Sequence, residues 1–427
     1  MKRRRLVHAL GVALILGAFS ACAQSGAAGT PGATATTPAG VTTITYWHTY
    51  SADSPEVGTL ENEVIPAFEK ANPGIKVKAV TIPYNDMHQK LITGVAGGEL
   101  PDVVRADIIW VPELANLGVL EPLDTAMPDF GTFKDAVYPG PLATNAWQGH
   151  YFGLPLDTNT LVQLYNPKVL KSVGAAAPAS MDDLKALADK LVKDGKYAYA
   201  DNDLSGWNTL PFIWSFGGDI TDPDVTKASG YVNSDATVNA ITFLYQLYKQ
   251  GAIPKFITQS GATQTNDGFA KGQYATILGG PWMYPILAGS HPDFAFQAAK
   301  VPAGTAGSIS VVGGENIVMT SASTHKDAAL AFVRYLMSED AQTTFAKVGQ
   351  FSVLKSLGDK MTSIQPYYQT YVEQMASARP RPATPAWTEI DAKMKSALQE
   401  AFLGNGDIKG ALDKLAPELD ALLAKYN

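Results

Sequence analysis

Val41-Thr42-Thr43-Ile44-Thr45-Tyr46-Trp47 is a β-branched and aromatic run of strand type, and the residues after it change period. Leu60, Val64, Ala67 and Phe68 fall on one face of a helix. Asn72-Pro73-Gly74 breaks that helix, and 75–82 returns to strand-like alternation. Further along, Ser180-Met181-Asp182-Asp183 has the form of a capping box and opens a helix with Leu184, Leu187 and Leu191 on one face. Thr324-His325-Lys326-Asp327 has the same form ahead of Ala329, Phe332, Val333 and Leu336. Strand and helix in alternation predict an α/β protein with largely parallel sheets. No internal repeat is present.

The chain has 427 residues, enough for two or three domains with cores of their own. Hydrophobic residues make up 46% and charged residues 17%, the balance of an ordinary globular protein. The formal net charge is -7, and losing Lys2, Arg3, Arg4 and Arg5 takes it to -11. Outside those four residues no cluster of Lys and Arg exists, so nucleic acid is not an expected partner.

The N-terminus carries an export signal. Lys2 to Arg5 are basic, and residues 6–19 are apolar apart from His8 and glycines. That length suits a signal peptide and is short for a membrane span. It ends at Phe19-Ser20-Ala21-Cys22, which resembles the bacterial lipoprotein lipobox, with Phe19 where leucine is usual. Cys22 is the only cysteine, so no disulfide can form within the chain, and it is the expected lipidation site. Residues 1–21 therefore read as the signal peptide, and 22–40 as a lipidated cysteine with a flexible tether of small residues and Pro. The 18 residues from 23 to 40, fully extended, reach about 60 Å. The expected location is extracytoplasmic, anchored to the cell membrane through lipid.

Common catalytic signatures are absent. There is no Gly-x-Ser-x-Gly elbow, no His-Glu-x-x-His pair and no phosphate-cradling loop ending in Lys-Ser/Thr. The six histidines lack metal-ligand spacing, and no cofactor or metal is expected. Asp201-Asn202-Asp203-Leu204-Ser205-Gly206 matches the opening of a calcium loop, but Phe212 stands where the bidentate Glu belongs, so a polar turn is the better reading.

What remains is aromatic. Trp207, Trp282 and Trp387 each stand near Gly or Pro: Ser205-Gly206-Trp207, Gly279-Gly280-Pro281-Trp282, and Arg379-Pro380-Arg381-Pro382 through Pro385-Ala386-Trp387. A ring held by such backbone suits stacking on the apolar C–H face of a pyranose, with Asp, Asn, Gln or Arg pairing the hydroxyls. Core filling is the alternative for any single one.

The order of further segments resembles the carbohydrate-type extracellular solute-binding proteins of ABC importers, the group that includes maltose-binding protein. The segments are Ile44-Thr45-Tyr46-Trp47-His48, Gly98-Glu99-Leu100-Pro101-Asp102-Val103-Val104, Tyr151-Phe152-Gly153-Leu154-Pro155 with Leu164-Tyr165-Asn166, Phe216-Gly217-Gly218, Phe269-Ala270-Lys271-Gly272-Gln273-Tyr274-Ala275, Gly279-Gly280-Pro281-Trp282 and Gly313-Gly314-Glu315-Asn316. The resemblance implies a type II periplasmic-binding-protein fold, two α/β lobes closing on a ligand cleft. It implies lobe 1 at 41–155 plus 312–347, lobe 2 at 156–311 plus 348–427, and crossings near 154–157, 310–313 and 346–350. It also implies Trp207 and Trp282 on the sugar, and Trp47 or His48 at the rim of the first lobe. Asp157, Asn159, Glu315 and Asn316 fall where hinge and pocket edges converge; Arg381 and Trp387 complete the set. Asp102, in the Pro-Asp pair, is expected to position a strand end. Maltose-type members place a ligand carboxylate where Ile108-Ile109-Trp110 stands, so Asp107 or Trp110 is expected to serve instead.

The expected function is non-catalytic, reversible binding of a carbohydrate by a monomer that delivers it to an ABC permease. A different solute is the alternative: a polyol, a peptide, or a glycerol phosphate ester, which would use Arg105, Arg379 or Arg381. A secreted glycoside hydrolase, which needs two facing carboxylates, is less expected.

Overall fold

A computed structural model of the chain describes residues 40–426 apart from 53, 260 and 261. The signal peptide, Cys22 and the tether up to residue 39 lie outside the described residues.

The strand Thr42–His48 alternates as its sequence requires, with Ile44, Tyr46 and His48 buried. It is second in a five-stranded sheet of order Ile75–Thr81, Thr42–His48, Val103–Asp107, Glu315–Met319, Gly153–Pro155. The first three strands are parallel and the last two run antiparallel to their neighbours. Tyr46 and Phe68 pack on Phe332 from one face, with ring centroids 5.3 and 5.0 Å apart, while Met87, Trp110 and Leu114 fill the other. Each such side chain, fully buried, contributes roughly 1.5–3 kcal/mol.

A second sheet has the order Gln297–Ala299, Val162–Tyr165, Tyr274–Gly279, Tyr197–Ala200, antiparallel except for its last pair. Its core takes in Trp214, Leu184, Leu187 and Leu191, and the C-terminal helices Trp387–Leu403 and Ile408–Leu423. Both sheets are mixed, not largely parallel. The cause in the first lobe is topological: the chain leaves near Pro155 and returns at Glu315, which pairs with Asp107. The returning strand therefore starts at the end where Val103–Asp107 stops, and must run the other way.

The two lobes meet at a hydrogen-bonded waist. The N–H groups of Leu156 and Asp157 donate to the Glu315 carbonyl at 2.8 and 3.2 Å. Asn159 and Thr160 pair with Gly313 and Val312, and the Thr158 N–H donates to the Phe351 carbonyl at 3.0 Å. The segment 346–351 touches the second lobe, where Ala346 accepts from the Tyr368 hydroxyl at 2.8 Å, and then returns. Val353, Leu354 and Leu357 are buried in the first-lobe core, so a boundary at 347/348 assigns them to the wrong lobe. Being apolar, they stay with the first lobe until the chain departs beyond Leu357.

The Ser180 capping box forms in both directions. The one expected at Thr324 does not: His325 caps the helix Lys326–Leu336 without a side-chain bond, and its N–H donates to Ser323 Oγ at 3.2 Å. Among the described residues no helix is long and apolar enough to cross a membrane.

Candidate functional site

Four strand ends deliver side chains to the space between the lobes. Tyr84 opens the helix after Ile75–Thr81, Asp107 ends its strand, and Glu113 lies in the helix that follows. Trp207 follows Tyr197–Ala200, and Trp282 follows Tyr274–Gly279. Ligands of open α/β sheets gather outside the carboxyl ends of strands, because there the helix N-termini and loops converge.

The tryptophans are the second lobe's contribution. Trp207 is in the first turn of the helix Gly206–Ser215 and Trp282 immediately precedes Met283–Ser290, so helix starts, not free loops, fix both rings. Both are half-buried, with centroids 6.5 Å apart and planes 31° apart. Gly313 makes room: a Cβ there would lie 2.5 Å from the Trp207 ring and collide with the Asn159 amide. The Asn159 Oδ1 is buried beside that ring with no hydrogen-bond partner.

Across the cleft, Arg381 Nη2 donates to Asp107 Oδ1 at 3.0 Å, a buried ion pair joining the lobes. The same guanidinium lies 5.0 Å from the Trp207 ring centre. Asp107 also accepts from the Tyr84 hydroxyl at 2.7 Å and the Ile109 N–H at 2.9 Å. A second bridge runs from His88 Nε2 to Glu113 Oε2 at 2.8 Å, and the Thr388 hydroxyl of the other lobe donates to that same oxygen at 3.1 Å. Asp391, one turn beyond Thr388, accepts from the Gly206 N–H at 2.5 Å. Burial pushes its carboxyl upward, opposed by that amide and by Arg381.

Other expected site residues lie elsewhere. His48 is fully buried between Tyr46 and Tyr50, not at a rim; burial, with Arg105 nearby, pulls its pKa down to about 4. Trp47 points to the opposite face of its strand, with Lys90 Nζ 5.1 Å from its ring. Trp110 is buried behind Tyr84 and His88, at ring distances of 5.3 and 5.7 Å. Asn316 is held inside the first lobe: its Oδ1 accepts from Asn145 at 2.9 Å, and its amide donates to Thr144 Oγ1 at 3.1 Å. Trp387 is a core residue, 1% exposed at the start of its helix. Asp157 and Glu315 pair with the buried Arg105 at 3.0 and 2.8 Å and so belong to the waist, not the pocket edge.

The arginine expectation divides in the same way. Arg105 is committed to the waist, Arg379 to Asp219 at 2.5 Å, and only Arg381 lines the cleft. Asp102 staples strands, accepting from the Thr45 N–H at 2.8 Å and the Ser323 hydroxyl at 2.6 Å. Asp203 closes its own turn through the Ser205 N–H and Lys395, and among the described residues no acidic or histidine cluster could hold a metal. A surface cavity of about 610 Å³ lies apart from the cleft, on the second lobe. Its wall includes Asn166, whose side chain caps a helix, and His291, which pairs with Asp267 at 3.0 Å.

Tyr84, His88, Glu113, Thr388 and Asp391 were not anticipated. Strand-end position was the available signal for Tyr84 and Glu113; Thr388 and Asp391 carry no local signal at all.

Comparison with known proteins agrees with this architecture. The model of the family described as bacterial extracellular solute-binding protein matches residues 51–343. A galactooligosaccharide-binding protein of Bacillus subtilis is 23% identical over 368 residues, covering 83% of this chain and 84% of its own. The GacH receptor of Streptomyces glaucescens, solved unliganded and with acarbose, superimposes with a TM-score of 0.81 at 24% identity, over 90% of this chain and 99% of that one. An ABC transporter solute-binding protein from Thermotoga lettingae, bound with alpha-D-tagatose, gives 0.79 at 25% identity over 90% and 100%. With two mixed α/β lobes, a cleft at their strand ends and a family match over most of its length, this chain belongs to the bacterial extracellular solute-binding proteins.

Proposed function

We propose that this protein is the substrate-binding component of an ABC importer and that it binds an oligosaccharide reversibly in the cleft, without catalysis. The observation that carries the reading is the pairing of Trp207 and Trp282 at 6.5 Å beside Arg381, which lies 5.0 Å from the Trp207 ring and pairs with Asp107, with Asp391 on the Gly206 N–H and Glu113 on Thr388. Tilted indoles offer apolar faces to sugar C–H groups, and a rim of charged acceptors and one guanidinium suits hydroxyls, which both donate and accept. Three carboxylates against one arginine are a poor match for a phosphate ester. The sugars bound by the relatives support the same class. One chain supplies both cleft walls, in keeping with a monomer. Phe19-Ser20-Ala21-Cys22 supports lipid anchoring at Cys22, and incorporation of labelled palmitate that Cys22→Ser abolishes is the expected result.

Tryptophan fluorescence titrated with mono-, di- and trisaccharides tests the binding reading. A saturable change with one sugar class is expected. Trp282→Ala should weaken that sugar by about 1–3 kcal/mol while a single thermal transition survives. Silence of the folded, ligand-free protein across the panel would overturn the sugar assignment.

A further inference from the structure

Arg105 leaves the strand Val103–Asp107 and ends at the waist, 4% exposed. Its Nη1 donates to Thr49 Oγ1 at 2.9 Å. Its Nη2 donates to Asp157 Oδ2 and to Gln350 Oε1, each at 3.0 Å, and pairs with Glu315 Oε2 at 2.8 Å. The guanidinium carbon lies 4.2 Å from the Tyr50 ring centre. Gln350 in turn donates to Glu56, whose second oxygen accepts from the Ser51 N–H at 3.1 Å.

These partners come from the segments that connect the lobes. Asp157 ends the outgoing crossing, Glu315 begins the returning strand, and Gln350 sits in 346–351, whose Gly349 lies against Trp282. One nitrogen of the guanidinium, Nη2, therefore meets partners from three segments at once, while Nη1 holds Thr49 of the first lobe. In a dry site each of these charge-assisted bonds resists stretching, because water cannot replace a lost partner. Burial pushes the Glu56 and Glu315 carboxyls upward against the pull of Arg105. Beyond Arg105 toward the second lobe, the ladder of Asn159–Thr160 on Val312 and Gly313 is held by neutral bonds: its backbone pairs, and the Thr158 and Thr160 hydroxyls donating to the Gly313 and Val311 carbonyls at 3.3 and 2.8 Å.

We propose that Arg105 is the positioning residue of lobe closure: it ties both crossings and the 346–351 loop to the first lobe, so that bending occurs only on the second-lobe side of the waist. The role rests on the closure reading above. It makes closure a single motion with one end point, and it needs the guanidinium fork: a lysine keeps the charge but has one nitrogen, which cannot meet the three crossing partners and also hold Thr49 with a plane laid on the Tyr50 ring.

Single-molecule energy transfer tests this in the ligand-free protein, with dyes on Thr132→Cys and Gln246→Cys and the native thiol removed by Cys22→Ser. Wild type is expected to show one narrow closed population. Arg105→Met should lower that population by about tenfold and broaden it, the loss expected when a buried group gives up charge-assisted partners. Arg105→Lys should broaden it with a thermal midpoint nearer wild type, and Gln350→Leu, which leaves every charge in place, should broaden it partially. Variants that unfold at lower temperature but keep the wild-type distance distribution would overturn the proposal, since Arg105 would then be structural only. A distance that stays fixed in Arg381→Gln, which lacks the ion pair across the cleft, both without ligand and in every sugar of the panel would remove the closure reading, and this role with it.

Discussion

Gly313 has no side chain, and that decides where two others sit. The Trp207 ring and the Asn159 amide both occupy the space a Cβ would need. Gly313→Ala should therefore displace the ring, weakening sugar binding roughly tenfold or more and costing about 1–3 kcal/mol of stability from overpacking. Paired titration and thermal unfolding check both effects, and unchanged affinity would dissociate Trp207 from the ligand. Gly314 beside it has φ +134° and packs on the Asp157 carbonyl, a backbone that other residues adopt only with strain. Asp201 is the second residue with a measurable signature. Among the described residues it is buried with only the Tyr199 hydroxyl and the Asn202 N–H as partners, and burial raises its pKa from 3.8 to about 8. The folded protein then holds a proton that the unfolded chain has lost above pH 3.8, so stability falls as pH rises toward 8 and levels off beyond it. Asp201→Asn should flatten that slope and raise stability near pH 7 by about 1–2 kcal/mol. Thermal midpoints from pH 5 to 9 decide it: a wild-type-minus-variant difference independent of pH would show an ionised Asp201 throughout.

At the scale of elements, two segments with one sequence form behave differently. Ser180 caps the helix Met181–Leu191 through the Asp183 N–H at 3.1 Å, and Asp183 reaches back to the Ser180 N–H at 3.0 Å. Thr324 caps nothing; its hydroxyl lies 3.5 Å from His325 Nδ1. Ser323 supplies the bond instead, accepting from the N–H of the cap residue His325 at 3.2 Å, while its own hydroxyl donates to Asp102 at 2.6 Å and so ties the helix start to the first sheet. Ser180→Ala should cost about 1 kcal/mol in denaturant unfolding, whereas Thr324→Ala should stay within about 0.5 kcal/mol of wild type. Equal losses would mean that the two helix starts are capped alike.

For the whole molecule, the ion pair of Arg381 with Asp107 is the charged contact that holds the cleft together. Both residues are buried, so added salt should scarcely affect it. Arg381→Gln leaves Asp107 with Tyr84 and the Ile109 N–H but without a cation. The ligand-free lobes should then open, seen as a larger radius of gyration in small-angle scattering, and sugar affinity should fall roughly ten- to a hundredfold. An unchanged radius with weakened affinity would assign Arg381 to the ligand alone.

The amino-acid sequence by itself determined the alternation of strand and helix, the buried helix positions Leu60, Val64, Phe68, Leu184, Leu187 and Leu191, and the tryptophans placed at chain turns; Ala67, expected on the first of those faces, is exposed and Ile65 is buried instead. These follow from local period and backbone preference, which need no distant partner. The tertiary structure alone decided which polar groups work together. Arg381 meets Asp107 across 274 residues of chain, and Thr388 meets Glu113 across 275. It also decided that Trp387 and His48 belong to cores while Trp207 and Trp282 face the cleft. All four are aromatic or imidazole rings in short apolar or Gly- and Pro-rich settings, and exposure is set by what packs against them. The mixed sheets have the same origin: the direction of Glu315–Met319 follows from where the returning chain comes in at the waist, which no local pattern records.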